Sequence, residues 1–100
     1  MDINKAIRMA VDTGDVKFGS RKTSKAASAG KPKMIILSKN CPAKARQEIE
    51  NNAKLSGIPA LTYEGTSVEL GSLCCKPFPV SSLSIFEPGN STILEAAKGQ

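Results

Sequence analysis

Positive charge is concentrated in one part of this chain, where it could bind a polyanion. Nine Lys and Arg residues lie between Val16 and Gln47, with no Asp or Glu among them. The nine are Lys17, Arg21, Lys22, Lys25, Lys31, Lys33, Lys39, Lys44 and Arg46. The first basic cluster lies where a helix should begin, a position that is unfavourable for cations unless an anion binds there too. The pattern therefore indicates a phosphate backbone as the ligand.

Three predicted loops, spanning residues 18–23, 38–41 and 73–78, contain the side chains best suited to contact RNA. Gly19 allows close approach of a backbone, and the amide of Asn40 can both donate to and accept from a base edge. Aromatic rings can stack on bases that are turned out of an RNA helix. The three loops and the helix after the first predict these RNA-binding residues: Phe18, Gly19, Ser20, Arg21, Lys22, Lys25, Lys39, Asn40, Cys75, Lys76 and Phe78.

Several of these residues also fit a purely structural role. Asn40 precedes Cys41 and Pro42 and is equally suited to cap the next helix. Phe18 and Phe78 fit packing in the core or in a loop. Four basic residues fit a solvated face: Lys31, Lys33, Lys44 and Arg46. A solvated face normally mixes both signs of charge, however, and the absence of acids from residues 16–47 favours a ligand.

The composition argues against catalysis and against a metal centre. The chain has no His, the commonest general base near neutral pH. Cys41, Cys74 and Cys75 are odd in number and have neither disulfide-framework nor zinc-ligand spacing. Residues 19–23 lack the first glycine of a phosphate-binding P-loop. We therefore expect free thiols, no enzymatic activity, no cofactor and no metal.

The sequence predicts a cytoplasmic protein of one domain. No apolar run reaches the roughly 18 to 20 residues of a membrane span, and the N-terminus lacks the apolar segment of a signal peptide. The length of 100 residues is enough for one hydrophobic core. We expect a single RNA-binding domain over residues 1–100, monomeric when free and without a membrane partner.

Hydrophobic periodicity predicts helices that alternate with strands. Asp2 is the predicted N-cap of the first helix, and a Thr66–Glu69 capping box begins a short fourth helix that Gly71 should limit. The other helices are predicted at residues 20–29, 42–57 and 91–97, and the strands at 16–18, 34–37, 58–63 and 80–86. Ala26, Ala27 and Ala29 predict a second helix that lies close to a sheet.

The alternation favours an α/β fold, with a sheet of about four strands covered by helices on both faces. Loops that follow parallel strands meet at one edge of such a sheet, so the first two loops should be neighbours. The third loop follows a helix, and the pattern does not fix its position or the strand order.

Four segments resemble a known family: residues 18–23, 33–42, 55–59 and 64–73, the last reading Glu-Gly-Thr-Ser-Val-Glu-Leu-Gly-Ser-Leu. They are similar, in order and spacing, to the archaeal-type large-subunit ribosomal L30e family of the L7Ae superfamily, which binds kink-turn RNA. The resemblance implies a three-layer α/β/α sandwich that binds a kink-turn-like internal loop of ribosomal RNA. It also implies a structural, non-catalytic role in the large ribosomal subunit, with other ribosomal proteins as further candidate partners.

The resemblance carries over to particular residues. Gly19, Arg21 and Lys22 correspond to the glycine and basic pair of the first loop. Asn40 corresponds to an asparagine that contacts a base, and Phe78 to an aromatic residue that packs on the RNA. The third loop departs from the family at Cys74-Cys75, where a small residue or glycine is usual, and at Pro79, where some members are basic.

Two alternative functions remain open at the level of the sequence. The first is an L7Ae-like RNA-binding protein of another ribonucleoprotein. The second is a basic module that docks an acidic protein partner, which would show no preference for kinked RNA over plain duplex. A small enzyme that uses Lys or Cys has no support in the sequence.

Overall fold

The structure, a computed structural model, describes residues 3–91, 93 and 94. Helices and strands alternate through most of the chain, as the periodicity predicts. The elements are α1 (Ile3–Thr13), β1 (Asp15–Phe18), α2 (Ser20–Ala29), β2 (Met34–Ser38), α3 (Ala43–Leu55), β3 (Ala60–Tyr63), α4 (Ser67–Leu73) and β4 (Ser82–Glu87). Across the described residues, every helix is too short or too polar to traverse a lipid bilayer.

The four strands form one mixed sheet in the order β1-β4-β2-β3. Strand β4 is antiparallel to both of its neighbours, whereas β2 and β3 are parallel. Strands β1, β2 and β3 therefore all end at the same edge of the sheet, and β4 begins there. This position of β4 brings the third loop to that edge, a placement that the sequence left open.

Helices cover both faces of the sheet, which confirms the three-layer sandwich. Met34 and Ile36 of β2 pack in a cluster that includes residues of α1 and α4. Ile35 and Leu37 face the other way and pack in a cluster with residues of α2 and α3. All four side chains are fully buried because successive residues of a central strand point into opposite layers.

The fourth helix confirms the predicted capping box but corrects the role of Gly71. The hydroxyl of Thr66 accepts a hydrogen bond from the Glu69 N–H (3.2 Å), and the Glu69 carboxylate accepts one from the Thr66 N–H (3.2 Å). The helix does not end at Gly71 but continues to Leu73. A Cβ atom at position 71 would lie 2.2 Å from the carbonyl oxygen of Phe78. Gly71 therefore allows the third loop to approach the helix closely.

The alanine face predicted for α2 is only partly correct. Ala27 is fully buried, but Ala26 is only partly buried and Ala29 is exposed. The second buried residue of this helix is Thr23, one turn before Ala27. Residues four apart lie on the same helical face, whereas positions 26 and 29 fall to its sides.

Two predicted features lie at the ends of the described chain. Ile93 and Leu94 are helical, as expected for a final helix over residues 91–97. The rest of that helix, apart from Ser91, lies outside the described residues, and so does Asp2, the predicted N-cap of α1.

Candidate RNA interface

The three predicted loops meet at one edge of the sheet, which we call the loop rim: residues 18–20, 39–42 and 74–81. The N–H of Gly19 donates to the carbonyl oxygen of Ser82 (3.0 Å), where the third loop enters β4. The N–H of Ser38, at the end of β2, donates to the carbonyl oxygen of Ser81 (2.8 Å). The third loop is thus hydrogen-bonded between the ends of β1 and β2.

The start of α2 lies at the loop rim and has no side-chain cap. Gly19 is the N-cap residue, with φ 107° and ψ 143°, and no side chain caps the helix. This positive φ strains any residue with a Cβ atom, although the space around Gly19 is empty to 4 Å. The first N–H groups of a helix have no acceptor within it. Arg21 and Lys22 are exposed on the same turn and add full positive charges.

Asn40 has a structural bond that the sequence did not predict. Its side-chain oxygen accepts from the N–H of Ser67 (2.7 Å), the first residue of α4, and from the hydroxyl of Ser38 (3.0 Å). Asn40 does not cap α3, because the N-cap of that helix is Pro42, which makes no side-chain capping bond.

The bond to Ser67 fixes the orientation of the Asn40 amide. A backbone N–H requires an acceptor, so the amide oxygen must face Ser67 and the NH₂ group must face away. Asn40 is exposed, and within the described part of the chain its NH₂ group makes no hydrogen bond. The sequence predicted that this amide could donate and accept at once; the structure leaves only its donors for a ligand.

Residues 16–47 contain no acid, but in the folded protein acidic side chains from later in the chain lie beside two of their cations. Lys33 lies 3.2 Å from the carboxylate of Glu87, and Arg46 lies 3.1 Å from that of Glu50. Arg46 also donates to the carbonyl oxygen of Ser38 and so ties α3 to the end of β2. Acids from later in the chain therefore fold back onto these two cations, so neither is an unpaired charge.

The two aromatic residues of the loop rim have different environments. Phe18 is partly buried against the core, and the ammonium of Lys76 lies 4.8 Å from its ring centroid. This environment fits the packing role for Phe18, and the cation–π contact joins the first loop to the third. Phe78 is 49% exposed and presents an apolar surface to solvent.

The thiols of the third loop differ in exposure. Cys75 is exposed and has φ 58°, the left-handed conformation that lets the loop turn. Cys74 is buried, and this burial raises the pKa of its thiol to about 11. Burial also raises the pKa of Cys41. Neither buried thiol is activated as a nucleophile.

The remaining predicted site residues also lie at or beside the loop rim. The hydroxyl of Ser20 accepts from that of Ser82 (3.3 Å), and the N–H of Lys39 donates to the carbonyl oxygen of Gly65 (2.9 Å). Lys25 is exposed one turn further along α2. No group of three or more His, Cys, Asp and Glu residues placed to hold a metal ion occurs among residues 3–91, 93 and 94.

Val68 is a candidate contact that the sequence did not suggest. It follows Ser67 in the first turn of α4, and its side chain is 65% exposed. The carbonyl oxygen of Ser67 accepts from the N–H of Val80 (2.9 Å), which joins this turn to the third loop. The capping box predicted where α4 begins, but the bonds that place its first turn beside the loop rim connect residues far apart in the chain.

Sequence comparison identifies close relatives over nearly the whole chain. "Large ribosomal subunit protein eL30" of Methanothermobacter thermautotrophicus is 54% identical over 95 residues, 95% of this chain and 97% of the relative. The protein of that name from Methanosphaera stadtmanae is 52% identical over 95 residues, with the same coverage. That from Methanopyrus kandleri is 42% identical over 97 residues, 97% of this chain and 89% of the relative. The expectation of a non-enzymatic protein agrees with these names.

Structural comparison supports the fold, and a family model supports the ancestry. A protein of unknown function from Bacillus halodurans C has a TM-score of 0.81, with 17% identity, 99% coverage of this chain and 98% of its own. At that identity the likeness concerns the fold alone. The model of the "Ribosomal protein L7Ae/L30e/S12e/Gadd45 family" matches residues 1–95. The family assignment made from the motifs is thereby confirmed: the chain belongs to the ribosomal protein L7Ae/L30e/S12e/Gadd45 family.

Proposed function

We propose that this protein is a non-catalytic constituent of the large ribosomal subunit that binds a kink-turn-like internal loop of ribosomal RNA and stabilises its bend. One observation carries the proposal: an uncapped, cation-bearing helix start and an oriented amide donor lie on the same edge of the sheet. The first suits phosphates, and the second suits a base edge.

The start of α2 would bind the RNA backbone at its bend. Gly19 leaves space for a phosphate beside the helix, and the first N–H groups of α2 are directed outward. Arg21, Lys22 and Lys25 would neutralise neighbouring phosphates, which are close together where an RNA strand turns sharply. These contacts hold the RNA but do not discriminate between sequences.

Asn40 would supply the selectivity for the internal loop. Its NH₂ group can donate to a carbonyl oxygen or ring nitrogen of a base, and the bond to Ser67 holds the amide ready for this contact. Bases of an internal loop expose such acceptors, whereas the deep, narrow major groove of an RNA duplex hides them. A preorganised donor also loses less rotational freedom on binding.

The third loop would close over the RNA from the other side. Phe78 and Val68 offer apolar surface to an unstacked base or ribose. The contact would be completed by Lys39 in the second loop and by Cys75 and Lys76 in the third loop. Phe18 would act indirectly, because the Lys76 contact on its ring fixes where the third loop lies.

The relatives support the cellular setting of this proposal. Their names place them in the large ribosomal subunit, and they match this chain over almost its full length. Ribosomal RNA in the cytoplasm is therefore the proposed partner, with neighbouring ribosomal proteins as further contacts. We propose that the free protein is a monomer.

A gel-shift titration at two salt concentrations tests the function. One RNA contains an internal loop with tandem G·A pairs, and its control has the same stem fully paired. We expect clear preference for the looped RNA at both salt concentrations, because Asn40 and the apolar rim act only on exposed bases. Equal affinity for the two RNAs would reject the proposal and favour a basic module for an acidic protein.

Two substitutions of Asn40 separate its RNA contact from its structural bond. Asn40→Asp keeps an oxygen acceptor for the Ser67 N–H but removes the NH₂ donors, whereas Asn40→Ala removes both. We expect Asn40→Ala to lose about 1 to 3 kcal/mol of binding to the looped RNA, and Asn40→Asp at least as much, because its carboxylate also repels the phosphates. Only Asn40→Ala should also lower the free energy of unfolding, by about 1 kcal/mol. Unchanged binding by both variants would contradict the role given to Asn40.

A further inference from the structure

A second concentration of positive charge lies beside the loop rim, along the outer side of α2. It is a groove of about 380 Å³ between α2 and the strands at the β1 end of the sheet. We call it the basic groove. The cations that line it are Lys17, Lys22, Lys25 and Lys31.

Uncompensated charge distinguishes the basic groove from an ordinary solvated face. No acidic side chain lines it. In the described part of the chain, Lys22, Lys25 and Lys31 form no ion pair. Lys17 lies 3.8 Å from Asp15, but both side chains are more than half exposed, so this pair is weak. Four like charges around one groove repel each other unless an anion binds between them.

The floor of the basic groove suits a backbone rather than a base. It consists of Ala26 and Ala29 of α2 and of Phe86 on β4. The alanines are small enough for a ribose-phosphate chain to approach the helix. Phe86 is only partly exposed, so it offers less surface for stacking than a fully exposed ring would.

The geometry of the basic groove matches a row of phosphates that continues away from the loop rim. Lys22, Lys25, Ala26 and Ala29 are spaced as one helical stripe. The eight residues of helix from Lys22 to Ala29 span about 10 Å, and Lys31 lies beyond the end of α2. Each strand of a DNA duplex carries a phosphate roughly every 3.4 Å of the axis, so about three phosphates of one nucleic acid strand would match the length of this stripe.

We propose that the basic groove binds the sugar-phosphate backbone of an RNA stem that adjoins the internal loop. The proposal rests on the proposed function, because Lys22 and Lys25 belong both to the groove and to the RNA contact at the loop rim. Lys17 and Lys31 are the added contacts. The protein would thus hold the bent loop and one of its two flanking stems, and so fix the direction in which that stem leaves.

The test combines protein variants with RNAs of different stem length. The double variant Lys17→Gln/Lys31→Gln removes two charges from the groove and leaves the loop rim intact. Lys44→Gln/Lys54→Gln removes two exposed charges from α3 and serves as the matched control. Both are titrated against the looped RNA with two long stems, and against the same RNA with either stem shortened to a few pairs.

We expect the affinity of the groove variant for the long RNA to depend less steeply on salt concentration. The change in slope should correspond to the loss of one or two phosphate contacts. Between 50 and 200 mM salt, its affinity should then fall about three- to tenfold less than that of the unchanged protein. Shortening one particular stem should abolish this difference, whereas shortening the other should preserve it. The α3 control should match the unchanged protein on every RNA.

Two results would overturn the proposal. The first is a groove variant with unchanged affinity and salt dependence on the long RNA, which would leave an acidic protein as the partner of these lysines. The second is a loss of affinity in the groove variant that stays the same when either stem is shortened, or that is equal to the loss in the α3 control. Failure of the proposed function is distinct, because it shows in the unchanged protein as equal affinity for looped and fully paired RNA.

Discussion

The two helical layers of this sandwich are held to the sheet in different ways. The layer of α1 and α4 packs through large side chains, including Ile7 and Leu70, both fully buried. The layer of α2 and α3 has a smaller core in which Ala27 and Ala53 supply the contact surface of the helices, together with Ile49. The basic residues of the candidate interface lie mainly on this second layer.

Hydrogen bonds supplement the smaller core of the α2/α3 layer. The hydroxyl of Ser24 donates to the carboxylate of Glu48 (2.9 Å) and accepts from the amide of Asn52 (3.2 Å). The hydroxyl of Ser56 donates to the carbonyl oxygen of Ala27 (2.8 Å). The comparison shows how α2 can stay polar and cationic: small side chains and lateral hydrogen bonds hold it, so its outer surface is free for charge.

The largest expected effect comes from removing a large buried side chain of the α1/α4 layer. Leu70→Ala removes a fully buried side chain and leaves a cavity, so we expect a loss of about 2 to 5 kcal/mol in the free energy of unfolding. Leu55→Ala is the matched control, because Leu55 is 80% exposed at the end of α3. Denaturant unfolding should show a change below about 0.5 kcal/mol for the control. Equal losses would contradict the assignment of the core.

The buried thiol of Cys74 gives this layer a pH dependence. Because burial raises its pKa from 9.0 to about 11, the unfolded chain releases this proton at lower pH than the folded protein does. The stabilisation is complete below pH 9 and is lost as the pH rises towards 11, by about 2 kcal/mol. Unfolding measured from pH 8 to 11 should show this decline in the natural protein.

A Cys74→Ala variant is the control for the pH measurement. It is less stable at every pH, but its stability should decline less steeply above pH 9. Thiol labelling at pH 8 gives an independent check, since Cys75 should react well before Cys74 and Cys41, which are buried with raised pKa values. Parallel pH curves for the two proteins would show that Cys74 ionises freely in the folded state.

The hydrogen bonds between α2 and α3 are tested by a pair of serines on one helix. Ser24→Ala removes the hydroxyl bonded to Glu48 and Asn52, whereas Ser28→Ala changes an exposed residue of the same helix. The difference between the two variants cancels the helix propensity of alanine. We expect Ser24→Ala to be less stable by about 1 kcal/mol in denaturant unfolding. No difference would mean that packing alone holds α2.

The smallest expected effect concerns Thr23, the fully buried polar residue of α2. Its hydroxyl makes no hydrogen bond to any of the described residues. Thr23→Val replaces it with a methyl group of nearly the same shape, so we expect the free energy of unfolding to stay within about 0.5 kcal/mol or to rise. Thr23→Ser keeps the hydroxyl, removes a methyl group and should be less stable. A clear loss in Thr23→Val would reveal a partner for this hydroxyl.

Local patterns predicted the elements of this fold well, because their causes lie within a few residues. The apolar run of β2 reflects burial on both faces, and the Thr66–Glu69 capping box forms as the spacing predicts. The error at Gly71 has a tertiary cause, since the carbonyl of Phe78 packs against that glycine. A sequence does not show which backbone will approach a glycine.

The sequence indicated which residue types could form the candidate site but not how they are arranged. The loop rim and the adjoining turns of α2 contain the predicted residues, yet the orientation of the Asn40 amide depends on Ser67, 27 residues later in the chain. The pairing of Lys33 with Glu87 spans 54 residues. Such bonds depend on which strands are neighbours in the sheet. The sequence pattern did not predict that order, in which β4 lies between β1 and β2.

The central position of β4 has a consequence for synthesis on the ribosome. Strands β1 and β2 are not hydrogen-bonded to each other; β4, which follows both in the chain, lies between them and pairs with each. A nascent chain that stops before Ser82 therefore lacks the partner that aligns its first two loops. The proposed affinity for RNA should then emerge late and abruptly during translation, so that unfinished chains would not compete with completed ones for the same RNA.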